Sequence, residues 1–154
     1  MPADPLLALT LWPEWAWAIC ALGKRVENRP WQPGQRIRIG DRFAVHAGKH
    51  IGGRPGRKAT DDALEALHTM SCGLLPDGWE SRALNAPRSA IVAVATLDAT
   101  DNAHQTRWDV IGTWHWRLRD VVVLPEPIPC RGAQGLWRPA PDVQQRLAEV
   151  LDAG

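Results

Sequence analysis

The chain has no tyrosine, one phenylalanine and two methionines against nine tryptophans in 154 residues. Aromatic packing, and any aromatic contact with a ligand, therefore falls to indole rings. Cysteine is scarce too: Cys20, Cys72 and Cys130 are odd in number, far apart and form no Cys-x-x-Cys, which disfavours a disulfide framework. They read as small buried hydrophobes. No apolar run approaches the 18 residues of a membrane-spanning helix, so no membrane partner is expected. The N-terminal residues lack a basic region followed by an apolar stretch and a small-residue cleavage site, and cytoplasm is the expectation. The five histidines form no metal motif. His46 and His50 are four apart, but a strand running into a glycine-rich loop gives them no shared helical face. No metal and no cofactor is implied, and no internal repeat is visible.

The hydrophobic fraction of 45% and charged fraction of 23% are ordinary for a soluble globular protein. The length predicts one domain over residues 1–154, able to bury about two-thirds of its surface. Net charge is only +1, but it is unevenly spread. From Lys24 to Lys58 there are ten basic residues against Glu27 and Asp41, so this segment carries +8 and the remainder −7. Such an asymmetry suits a localised polyanion-binding face. The alternative is that these charges scatter over several surfaces on folding.

Leu6–Leu11 reads as a first strand. Pro13 suits the first turn of a helix, and Trp15, Ala18, Ile19 and Leu22 recur at helical spacing. Trp17, Cys20 and Ala21 cover the opposite side, so the helix is apolar all round and buried. Gly23 stands where it would stop. Lys24, Arg25, Glu27, Asn28 and Arg29 follow. In an extended run Arg25, Glu27 and Arg29 share one face. Gln32–Gln35 is a turn signal. Arg36–Ile39 and Arg42–Ala47 alternate as half-buried strands, with Phe43, Val45 and Ala47 toward the core and Arg42 and His46 opposite. Gly48–Lys58 reads as a flexible loop, disordered or ordered by an anion, without a phosphate-loop signature. Thr60 can cap a helix whose apolar stripe is Ala63, Leu64, Leu67 and Met70, and Gly73 ends it. Residues 74–88 look like a loop. Ala90–Leu97 is apolar on both faces and reads as a central strand. Residues 98–109 read as a surface connection, Thr113–Leu118 and Val121–Leu124 as two more strands, and Pro141–Leu151 as a helix. Short strands, three helices and dense turns predict an α+β fold with a barrel rather than a parallel sheet.

One combination of segments goes further. Trp15-Ala16, Gly23-Lys24-x-x-Glu27-x-Arg29-x-Trp31 and Val45-His46-Ala47, followed by Trp114-His-Trp116 and Pro129-Cys-Arg-Gly-Ala-Gln-Gly-Leu-Trp137, resemble the ASCH family in its bacterial and phage form. The likeness runs from about Leu6 to Trp137. It implies a PUA-like mixed β-barrel of five to six strands flanked by about three helices, with a cleft suited to nucleic acid. It also raises the chemistry of small ASCH amidohydrolases on acylated cytidine, whose site resembles Lys-x-x-Thr plus a distant Glu. Lys24 matches that lysine, but the threonine position holds Glu27, and a carboxylate cannot replace a hydroxyl nucleophile without changing the mechanism. A water attack with Glu27 as general base is the remaining route. Neither Glu80 nor Glu126 lies in a motif matching the distant Glu. A ribonuclease, also proposed within the family, would draw on His46 or His115 with Lys24.

The expected function is thus a nucleic-acid-binding module, for RNA ahead of DNA, or for a modified or extruded base or nucleoside. A small hydrolase is the alternative, with Lys24 and Glu27 as its candidates. An acidic protein partner for the basic loop is a third option. Lys24, Arg25, Arg29, Lys49, Arg54, Arg57 and Lys58 would meet phosphate, since a Lys and an Arg in a cleft hold such anions. Arg131 stands with them beside the C-terminal Trp137. Trp12 and Trp31 flank the charged turn and would stack on a base, with Trp137 as a third candidate. Glu27, His46 and Gln134 would read polar edges. Trp15, Trp17, Trp114 and Trp116 belong to the core by pattern. Oligomeric state is not legible.

Overall fold

The computed structural model describes residues 4–153. Residues 1–3 and 154 of the expected domain lie outside the described residues. Six strands, β1 (Leu7–Leu11), β2 (Val26–Arg29), β3 (Arg42–Ala47), β4 (Ala90–Asp101), β5 (Trp114–Pro129) and β6 (Leu136–Trp137), form one sheet in the order β2-β5-β4-β3-β1-β6. Four helices accompany it: α1 (Pro13–Ala21), α2 (Arg57–Met70), α3 (Trp79–Leu84) and α4 (Pro141–Ala153). β1 and β3 are parallel and every other pair is antiparallel. The architecture is the expected α+β half-barrel, with one helix more than the sequence suggested.

The sheet curls because both of its faces are apolar and each has its own cover. Leu9, Leu11, Phe43, Val45, Ala93, Trp116 and Leu118 fill the inside with Ala16 and Ile19 of α1. Ala8, Ala44, Ile91, Val94, Leu124 and Ile128 fill the outside, covered by Val143 and Leu147 of α4. This explains β4, whose first eight residues are all buried. Trp116 is the interior anchor: its ring meets Trp31 edge-on at 5.1 Å and Phe43 at 6.2 Å, each such pair adding about 0.5–1.5 kcal/mol beyond area burial. The far side of α1 is buried as well. Trp17 and Ala18 pack on Leu67 of α2 and Ala83 of α3, so the helix has no polar face.

Curling brings the two flanks of the sheet together without backbone pairing between them. Arg29 on β2 donates from Nη2 to the carbonyl of Thr10 on β1 at 2.7 Å, although β5, β4 and β3 separate these strands in the sheet. A seam is left between β1 and β2, closed by side chains.

Several local expectations change. Residues 36–39 are not a strand: only Ile37 is buried, and Arg38 N–H donates to Asp41 Oδ2 at 2.8 Å in a turn. The 48–58 loop is ordered, with a 3₁₀ turn at Ile51–Gly53 and α2 beginning at Arg57. Thr60 therefore lies inside α2 and donates to Gly56 O at 3.2 Å instead of capping. Residues 74–88 contain α3. β4 runs on to Asp101 before the connection to β5 begins, and buried Trp108 and Asp109 tie that connection down. The two strands expected at 113–118 and 121–124 are one bent strand, β5, with Asp120 at φ 47° in its middle.

β2 pairs only with residues 114–117 of β5, so beyond that point β5 is the sheet's outer edge. Pro125, Pro127 and Pro129 occupy that edge, where no ladder donor is required. Among the described residues no helix is long and apolar enough to cross a membrane, and no group of three His, Cys, Asp or Glu side chains could hold a metal.

Candidate functional site

The seam between β1 and β2 opens into a cavity of about 340 Å³. Thr10, Trp12 and Trp15 form one side, Glu27, Asn28, Arg29 and Pro30 another, and Met70, Val110 and Thr113 close it, with Lys24 at the bottom. The start and end of α1 set its shape. Trp12 O accepts from Trp15 and Ala16 N–H and opens the helix, which fixes Trp12 at its entrance. Gly23 at φ +69° ends it, and Lys24 N–H folds back onto Ala18 O at 3.3 Å. The side chain of Lys24 is thereby turned inward.

Lys24 is 1% exposed. Its ammonium donates to Val26 O, sits 3.8 Å from Glu27 Oε1 and lies 5.4 Å from the centre of the Trp15 ring. Glu27 Oε2 accepts from Arg29 Nε at 2.9 Å. One carboxylate thus stands between two cations. Burial pushes the Lys24 ammonium below the ordinary lysine value, and Glu27 only partly restores it. A desolvated lysine on a pocket floor is the type of group that marks a working site.

The opposite wall is held from below. Asn28 Nδ2 donates to Trp108 O at 2.9 Å and its Oδ1 accepts from Val110 N–H at 3.0 Å. Beneath that wall, Arg117 reaches Asp109 Oδ1 at 2.6 Å and Asp101 Oδ1 at 2.8 Å. His115, with no exposed surface, lies 3.0 Å from Val110 O through Nε2. A carbonyl only accepts, so this nitrogen carries the hydrogen.

The 48–58 segment adjoins the entrance through two contacts. Both oxygens of buried Glu14 accept from Gly52 N–H at 3.1 Å, and burial raises this carboxyl above its ordinary value despite that bond. Gly53, at φ +80°, lies so close to Trp12 that an added Cβ would fall 2.4 Å from the indole. Gly53→Ala is therefore expected to displace Trp12 from the pocket wall. The expected destabilisation is about 1–3 kcal/mol, with a shift in tryptophan emission, read by thermal melts and fluorescence.

Of the residues singled out by sequence, Trp12, Lys24, Glu27 and Arg29 meet at this cavity. The rest lie elsewhere. Arg25 is exposed and its Nη1 donates to Ile19 O at 2.8 Å, near the end of α1, where a cation suits the helix dipole. Trp31 is half-buried outside the cavity, its ring edge-on to Trp116 and 5.9 Å from the Arg29 guanidinium. His46 is buried by Thr10 Oγ1 at 3.1 Å and Cys130 O at 2.8 Å, with Gly132 against its ring. Trp137 donates to the same Thr10 hydroxyl at 3.0 Å. Arg131 and Gln134 are exposed and line no part of the cavity. Lys49, Arg54, Arg57 and Lys58 are exposed beyond Trp12, and the last two face Asp61 and Asp62 one turn along α2. Arg36, Arg38 and Arg42 lie toward the other end of β3, a strand about 17 Å long. The basic segment therefore splits between two ends of the fold.

Sequence reasoning passed over Thr10, Asn28, Met70, Val110 and Thr113, and placed Trp15 in the core alone. Trp15 does both: one side packs on the interior clusters and the other lines the cavity. Asn28 had a signal, since it lies inside the charged turn with a side chain opposite in parity to Glu27 and Arg29.

No family model and no curated protein sequence matches the chain. Solved structures do. The crystal structure of ASCH from Zymomonas mobilis superposes with a TM-score of 0.51 at 15% identity, over 96% of each chain. A serine-to-alanine mutant of that protein gives 0.50 at 16% identity, over 97% of this chain and 98% of the other. With a six-stranded curled mixed sheet, four helices and a seam pocket in place, the chain has the ASCH-domain fold.

Proposed function

We propose that the protein binds a single nucleobase, presented by an RNA strand, in the seam pocket. The observation that carries this reading is the pocket itself. About 340 Å³ suits one base with part of its sugar and is too small for a duplex. Two indoles flank it, as base stacking requires. Glu27 offers its second oxygen, Oε1, to an amino group, and Arg29 offers Nη1 to a carbonyl edge, its Nε and Nη2 being held by Glu27 and Thr10 O. Lys24 lies too deep to touch a phosphate on the outside. That role falls to Lys49 and Arg54, which continue the surface past Trp12 and Gly53.

Fluorescence anisotropy of labelled single-stranded RNA at about 50 and 200 mM salt tests the reading. Affinity is expected to fall steeply with salt, because phosphate contacts release counterions. Trp12→Ala is expected to weaken binding by about 1–3 kcal/mol, the worth of one stacked base. Absent or salt-insensitive binding would count against it.

The depressed ammonium of Lys24 favours a second reading, hydrolysis of an acylated cytidine. Against it, the two hydroxyls lining the pocket are both hydrogen-bonded. Thr10 lies against His46 and Trp137, and Thr113 against Val110 O. Release of the acyl group on incubation with acylcytidines, lost in Lys24→Ala, would establish this activity in place of simple binding.

A further inference from the structure

Among basic residues this chain uses arginine almost everywhere: fifteen arginines stand against three lysines, Lys24, Lys49 and Lys58. Yet among the described residues the one fully buried Lys or Arg side chain is a lysine. Arginine would serve better for a buried ion pair with a carboxylate, through its planar fork and constant charge. What lysine alone provides is an amine that can lose its proton and act as a nucleophile.

We propose that Lys24 forms an imine with an aldehyde carried on a base-sized ring seated in the seam pocket. The inference rests on the reading that the pocket takes a single base. Three features of the site support it. The amine lies at the floor of the cavity, on the Trp15 ring, where a ring stacked beside that indole would bring a substituent toward it. Its bond to Val26 O needs only one N–H and survives loss of the proton. Glu27 Oε1, 3.8 Å away, is placed to receive that proton as the ligand excludes water.

The chemistry balances without an oxidant or reductant. The neutral Nζ adds its lone pair to the aldehyde carbon, and the carbonyl electrons move to oxygen. That oxygen takes the proton held by Glu27, giving a carbinolamine. Nζ returns a proton to Glu27, Glu27 passes it to the hydroxyl, which leaves as water, and the nitrogen lone pair closes a protonated C=N bond beside the ionised Glu27. Arg29, bonded to the other oxygen of Glu27, keeps the carboxylate oriented through these transfers.

The two exposed lysines are internal controls. The full chain is incubated at pH 7 with 5-formyluridine, as the free nucleoside and within a single-stranded RNA, in the presence of cyanoborohydride, which reduces the imine to a stable amine. Propanal is run in parallel. Peptide mass mapping is expected to place the adduct on Lys24, with about ten-fold more label than on Lys49 or Lys58, because the pocket seats the aldehyde beside this amine alone. Lys24→Arg is expected to abolish it. Trp12→Ala, which leaves Lys24 in place, is expected to slow labelling by 5-formyluridine more than labelling by propanal. No adduct, or equal labelling of all three lysines, would overturn the proposal. Binding of unmodified RNA without any adduct would overturn this inference alone. An adduct from the free nucleoside with no binding of unmodified RNA would overturn the RNA reading alone.

Discussion

Replacing Glu27 by alanine is expected to lower the free energy of unfolding by about 3–5 kcal/mol, the cost of leaving a buried charge without its partner, and to abolish the proposed binding of RNA. Glu27 is the shared counter-charge of Lys24 and Arg29. Without it, two cations face each other around a desolvated floor. Against a total stability of about 5–15 kcal/mol the variant would be marginal. Urea titration reads the loss directly. The double variant Lys24→Met with Glu27→Gln separates pairing from packing. It removes both charges, so it is expected to recover most of the stability and none of the binding. Lys24 also gives the site a pH signature. Its folded value is depressed, so between that value and the ordinary lysine value of 10.5 the unfolded chain binds more protons than the folded one. Stability therefore rises with pH across that window, and the rise is absent in Lys24→Met. Comparing the two proteins cancels Cys20, whose thiol burial pushes up to about 11 and whose effect has the opposite sign.

The second large effect is expected at Arg117, outside the pocket. Its guanidinium holds Asp101 and Asp109 together, and the Asp109 carboxylate has no exposed surface. Arg117→Met would leave that carboxylate buried and unpaired, again a loss of about 3–5 kcal/mol. It would also loosen Val110 and Thr113, which close the cavity. Burial alone would raise Asp109, but Arg117 and the amides of Gln105 and Thr106 outweigh it and hold the group far below the ordinary range. Arg117 is also the main cause of the lowered value at Asp101. Both groups have depressed folded values, so their contribution is complete above the unfolded aspartate value of about 3.9 and fades as pH falls below it. The gap in stability between wild type and Arg117→Met is thus flat near neutrality and narrows below about pH 4. Chemical denaturation at pH 7 and pH 3 checks this. A gap of equal size at both would show that the guanidinium serves packing rather than charge.

The elements the sequence made legible are those whose signal is local. Pro13, Gly23 and an all-round apolar run define α1, and the two-faced apolar run defines β4. Residues 36–39 misled because basic–apolar alternation fits a strand, while what decides the matter is a turn bond from Arg38 to Asp41. α3 is only six residues long, behind Pro76 and Gly78, and packs mainly through Ala83, too little for a periodicity to show. β5 looked like two strands because Asp120 at its centre adopts a conformation usual in turns. At the site, Lys24, Glu27 and Arg29 were visible because they share one short segment, the entry into β2 and the strand itself. Thr10, Met70, and Val110 with Thr113 come from three separate segments, and only the curl of the sheet brings them to one hollow. His46 and Trp31 stood out for their residue type, but the space around them is filled by Gly132 and Trp116.

The prolines of β5 carry a consequence for crowded solutions. Val122 and Val123 lie 42% and 50% exposed on a free flank, the sort of margin along which sheets fuse into fibres. Pro125, Pro127 and Pro129 fall at every second position beyond them, and none has a backbone N–H. A foreign chain arriving there finds three successive places with no hydrogen to offer. The molecule can leave oily residues on its rim and still stay clear of runaway stacking with its own copies.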